Sequence, residues 1–80
     1  MALIVDFSRV HKETNRIHEA VECGWGRFVK DGQTILQLDT YGSTDRQIPG
    51  KVSQSVQLDE AAAAQLIRII HQTFPEIAAP

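Results

Sequence analysis

An 80-residue chain that is 42% hydrophobic and 22% charged reads as one soluble globular domain spanning residues 1–80. A chain this short buries only about 60–65% of its unfolded surface, so its core is thin and a partner that covers apolar surface is expected. The net charge of −2 and pI near 5.8 exclude a uniformly basic polyanion binder but allow a local basic face.

Cys23 is the only cysteine, so no internal disulfide and no Cys-x-x-Cys metal spacing can form. A reducing, cytoplasmic setting is expected. No apolar run approaches the roughly 18 residues of a membrane span. The start Met1-Ala2-Leu3-Ile4-Val5 is too short for a signal-peptide core and lacks a basic lead, so neither export nor a membrane partner is expected.

Taken in order, Ala2 to Phe7 is a short apolar run that predicts a first strand, and Ser8 to Arg16 is a polar loop. Ile17 to Lys30 reads as a long, bent strand. Ile17, Val21, Cys23, Trp25 and Val29 share one parity, and His18, Ala20, Glu22 and Phe28 share the other. Gly24 and Gly26 flank Trp25 and mark a bend or a close backbone approach. Parity with Ile17 and Val21 places Trp25 and Cys23 in the core.

Asp31-Gly32 is a hairpin signal, because both residues tolerate positive φ. Thr34 to Tyr41 is the return strand, with Leu36 and Leu38 facing the core and Ile35, Gln37, Asp39 and Tyr41 facing away. A polar loop follows, ending in the Pro49-Gly50 turn. Lys51 to Leu58 alternates again, and Ser53, Ser55 and Gln57 face solvent or a ligand. Asp59 is a good N-cap, and Ala61 to Ala64 have high helix propensity. Ala63, Leu66, Ile67, Ile70 and Phe74 form an apolar stripe, and Pro75 ends the helix. Ala62, Ile69 and Thr73 widen the stripe beyond what one thin sheet needs, which hints at a partner.

The order predicts an α+β fold: an antiparallel meander of four to five strands followed by one C-terminal helix. An N-terminal strand and loop fill 1–15, the sheet 16–58, the helix 59–74 and a tail 75–80.

The densest polar chemistry lies in the loop from Asp39 to Gln47. The amides of Gly42 and Ser43 with Arg46 could cradle an anion. The favoured reading is that the loop satisfies itself, with Asp45 pairing to Arg46 or capping amides and Ser43 and Thr44 making local turns. Catalysis lacks its parts. Cys23 and His18 have opposite strand parity, and no Gly-x-Ser-x-Gly elbow occurs. His11, His18 and His71 fall on a loop, a strand and a helix, without metal-ligand spacing. No catalytic residue, metal or cofactor is expected.

The run Phe28-Val29-Lys30-Asp31-Gly32, followed by Ile35-Leu36-Gln37-Leu38, Pro49-Gly50-Lys51, Val56-Gln57-Leu58 and Leu66, resembles the transcriptional positive cofactor 4-like family of single-stranded-DNA-binding proteins. The resemblance covers residues 16 to 74 and rests on element order and turn placement. It implies a homodimer of curved four-stranded antiparallel sheets, each followed by a helix, that binds single strands with little sequence preference. On that reading Arg27, Lys30, Arg46 and Lys51 contact phosphates, and Tyr41 stacks on a base through the sheet face and the 41–51 loop. Trp25 would join it if it lay on the surface. The alternative is a small regulatory module that docks on a larger protein, as a phage or bacterial accessory protein does. The acidic pI and the wide helix stripe motivate it.

Overall fold

The computed structural model describes residues 1–12, 16–41 and 52–78. It has an α+β architecture: strands β1 (Ala2–Ile4), β2 (Cys23–Lys30), β3 (Gln33–Tyr41) and β4 (Val52–Leu58) form a four-stranded sheet, and helix α1 (Glu60–Thr73) follows.

β2 and β3 make a hairpin in unbroken register from Lys30↔Gln33 to Cys23↔Thr40. Asp31 (φ 54°) and Gly32 (φ 74°) both take positive φ, as a two-residue type I′ turn requires. The strand expected over Ile17 to Lys30 begins only at Cys23. Its pairing with β3 runs from Cys23, opposite Thr40, to Lys30, opposite Gln33.

β4 pairs antiparallel with β3, with a register shift between Thr40 and Tyr41. Its other edge is taken by β1, which runs parallel to it (Ala2↔Val56, Leu3↔Gln57, Ile4↔Leu58). β2, β3 and β4 thus form the antiparallel meander expected, and the parallel β1 on the outer edge of β4 makes the sheet, ordered β1-β4-β3-β2, mixed. β1 and β2 run parallel from opposite edges of the sheet, and the connection between them, Val5 to Glu22, is long enough to cross it.

α1 is capped as its sequence predicts. The Asp59 carboxylate accepts from the Ala62 amide at 2.8 Å, and Pro75 follows the C-cap Phe74, whose amide donates to the Ile70 carbonyl. Gln65 ties the helix to the segment after β1. Its Oε1 accepts from the Phe7 amide at 2.9 Å, and its Nε2 donates to Asp6 Oδ1 at 3.0 Å.

The core is small: among the described residues, the buried apolar side chains are Ile35, Leu58 and Ala62. Leu36 and Leu38 are only half-buried, so the most buried position of β3 is Ile35, on the face expected to point away. Ile35 stands opposite Phe28 on β2. Trp25 is 70% exposed and Cys23 is exposed, which corrects the core assignment of both. The reason is topological. β2 is an edge strand, and nothing described here lies beyond it.

The helix stripe is covered at Ala62 and half-covered at Ala63 and Leu66, but its C-terminal part is exposed, with Ile67 59% and Phe74 57% exposed. The chain exposes 7306 Å², against about 4,800 Å² expected for a folded monomer of this mass. Its radius of gyration, 14.9 Å, likewise exceeds the roughly 11.6 Å of a compact domain of this length.

Candidate nucleic-acid interface

Register assigns each strand residue to one of two sheet faces. One face carries Gln57 and Ser55 of β4, Gln37 and Asp39 of β3, and Gly26 and Gly24 of β2. Here Gln57 Nε2 donates to Gln37 Oε1 at 2.9 Å, and Gln37 Nε2 donates to Asp39 Oδ1 at 3.1 Å. The Ser55 hydroxyl donates to the same carboxylate oxygen. The four side chains form a half-buried polar ladder across the β3–β4 pair. Each donor group makes a hydrogen bond within it, so the ladder joins the strands and fixes Asp39 as an acceptor.

Beside the ladder, toward β1, lies an open recess of about 430 Å³ lined by Met1, Ala2, Leu3, Gln37, Ser55 and Gln57. On the β2 side the Tyr41 ring lies over Gly24. A Cβ added at Gly24 would stand 3.0 Å from Tyr41 Oη, whereas one at Gly26 would meet nothing within 4 Å. Tyr41 is thus half-buried against the backbone of β2.

The other face carries Trp25 opposite Leu38, Arg27 opposite Leu36, and Val29 opposite Thr34. Trp25 and Arg27 sit two residues apart on the edge strand, both exposed. This places an uncovered indole and a guanidinium side by side on a surface floored by Leu36 and Leu38.

The expected binding set is therefore divided. Arg27 joins Trp25 on one face. Lys30 and Tyr41 have the opposite parity and lie on the face of the polar ladder. Arg46 and Lys51 lie outside the described residues, as do Ser43 and the anion cradle suggested around it. Sequence reasoning missed the ladder as a unit. Alternation set Ser55 and Gln57 on one face of β4 and Gln37 and Asp39 on one face of β3. The missing information was the register, Gln37↔Gln57 and Asp39↔Ser55, that brings the two pairs together.

Among the described residues, no three His, Cys, Asp or Glu side chains gather as a metal site would require. No helix among them is long and apolar enough to cross a membrane. Compared with protein-family models, with curated proteins and with solved structures, the chain matches none.

Proposed function

We propose that this chain is a non-enzymatic, homodimeric module that binds single-stranded nucleic acid. The observation that carries the reading is the 70% exposed Trp25 beside Arg27 on the β2 edge. A flat indole offers a stacking surface to any base, and an adjacent guanidinium supplies phosphate contact and cation–π support. Binding is then centred on the Trp25–Arg27 face, with Lys30 and Tyr41 at the hairpin and strand ends of the opposite face, and with Arg46 and Lys51, which lie outside the described residues, as further phosphate contacts. The acidic net charge predicts modest, salt-sensitive affinity that depends on stacking more than on bulk electrostatics.

Fluorescence polarisation with a labelled oligonucleotide at low salt tests the proposal. Saturable binding that falls steeply with added salt is expected. No binding at roughly 100 μM protein sinks it, since even non-specific sites fall near that range.

A second reading is favoured by a different observation. The uncovered stripe of Ile67, Ile70 and Phe74 on α1 suits docking on a larger protein. Apolar docking would resist the salt that strips nucleic acid, so one titration series separates the two.

A further inference from the structure

We infer that two copies of this chain join through the outer edge of β2, antiparallel about a two-fold axis at Gly26, to make one continuous eight-stranded sheet. β2 is the terminal strand of the sheet, and its partner β3 covers only one side. It runs eight residues in uninterrupted register, without a bulge or a proline. Its charged side chains are Arg27 in mid-strand and Lys30 at the hairpin end, and neither a bulge nor a proline interrupts the edge, so such an edge is a template for a strand that can pair with those charges.

The phase of the hairpin selects the register. The type I′ turn makes Lys30 and Gln33 the hydrogen-bonded pair that closes it. Along an antiparallel pair such residues alternate with non-bonded ones. The backbone groups of Phe28, Gly26 and Gly24 therefore point at β3, and those of Val29, Arg27, Trp25 and Cys23 point outward. A second β2 can add hydrogen bonds only if outward residues oppose outward residues.

Three registers near the centre of the strand meet that condition. One sets Arg27 against the partner's Arg27, a like-charge pair. Another sets Trp25 against the partner's Trp25 and leaves much of the strand unpaired. The third centres on Gly26 and pairs every residue from Cys23 to Val29. It sets Trp25 against the partner's Arg27, twice by symmetry, so each indole meets a guanidinium. On the opposite face it sets Gly24, already roofed by Tyr41, against the partner's Phe28, bringing a further ring to the Tyr41 ring. At the axis Gly26 meets the partner's Gly26 with open space where side chains would stand. The two glycines that weaken β2 as an isolated strand are thus the positions where the second copy approaches.

Site-directed cross-linking tests this without nucleic acid, so its outcome is independent of the oligonucleotide titration. In a Cys23→Ser background, Gly26→Cys places two thiols across a non-hydrogen-bonded pair, where Cα atoms lie about 4.5 Å apart and a disulfide fits. Val29→Cys in the same background places them six residues apart along the strands, roughly 20 Å. Mild oxidation is expected to convert the Gly26→Cys chain to a reductant-sensitive dimer and leave the Val29→Cys chain monomeric on a non-reducing gel. Sedimentation of the unaltered protein at micromolar concentration is expected to give twice the chain mass. A monomer in sedimentation, a dimer that Gly26→Cys does not cross-link, or equal cross-linking at Val29 overturns the inference.

Discussion

Gln57 donates its side-chain amide to Gln37 at 2.9 Å, directly across the β3–β4 pair, and so begins a chain of hydrogen bonds that ends on Asp39 and Ser55. This ladder occupies the middle of the sheet, where a small domain would ordinarily place apolar side chains. Asp39 is its terminus, since it accepts from both Ser55 and Gln37. Asp39→Ala is expected to cost about 1–3 kcal/mol, because it leaves half-buried donors without an acceptor. Asp39→Asn keeps an acceptor oxygen and is expected to cost less. Urea unfolding midpoints of the two variants decide the order, and equal midpoints would remove the ladder from the account of stability.

Tyr41 and Gly24 are coupled by contact. A methyl at Gly24 would meet the Tyr41 ring at 3.0–3.2 Å. The hydroxyl end of the ring can swing, so Gly24→Ala is expected to be mild, whereas Gly24→Val should cost about 1–3 kcal/mol through overpacking. Gly26→Ala meets nothing and is expected to be neutral or slightly stabilising, because it restricts the unfolded chain. The cost of Gly24→Val should shrink in a Tyr41→Ala background. A thermodynamic cycle with no coupling would refute the contact.

Asp59 controls the start of α1 through one hydrogen bond to the Ala62 amide. Asp59→Ala is expected to lower stability by about 1 kcal/mol, and Asp59→Asn or Asp59→Ser by only a fraction of that, since each retains a capping oxygen. Thermal melts followed by helix circular dichroism measure the difference.

Trp25 is exposed in the single chain, so its removal should leave the fold of one copy within about 0.5 kcal/mol of the unaltered chain while weakening a dimer joined at the β2 edge. If it stacks on bases, Trp25→Ala should weaken oligonucleotide binding about 5- to 150-fold, the range expected for loss of one stacked base. Arg27→Ala should reduce the slope of log affinity against log salt by about 1. Unchanged affinity in both variants would leave this face without a role in nucleic-acid binding.

Much of the architecture was legible in local chemistry. Asp31-Gly32 announced a turn with positive φ, and the structure places both residues there. Asp59 before four alanines announced a capped helix, and Pro75 announced its end. Strand alternation grouped Gln37 with Asp39 and Ser55 with Gln57. The candidate site was less legible, because the set chosen around Arg27, Lys30 and Tyr41 mixes parities. Arg27 and Lys30 stand three residues apart on β2, an odd spacing that sends their side chains to opposite faces.

By itself, the sequence determined what depends on neighbours within a few residues: turn type, helix caps, strand periodicity and the excess of apolar positions. Tertiary structure decided what depends on which strands pair. It put β1 parallel beside β4, stopped β2 at Cys23, and left Trp25 and Cys23 uncovered on an edge. It also chose Ile35 over Leu36 and Leu38 as the buried residue of β3. Alternation separates two faces but carries no sign, so it cannot say which face is covered. That depends on neighbouring strands and the helix, and on any second copy that completes the edge.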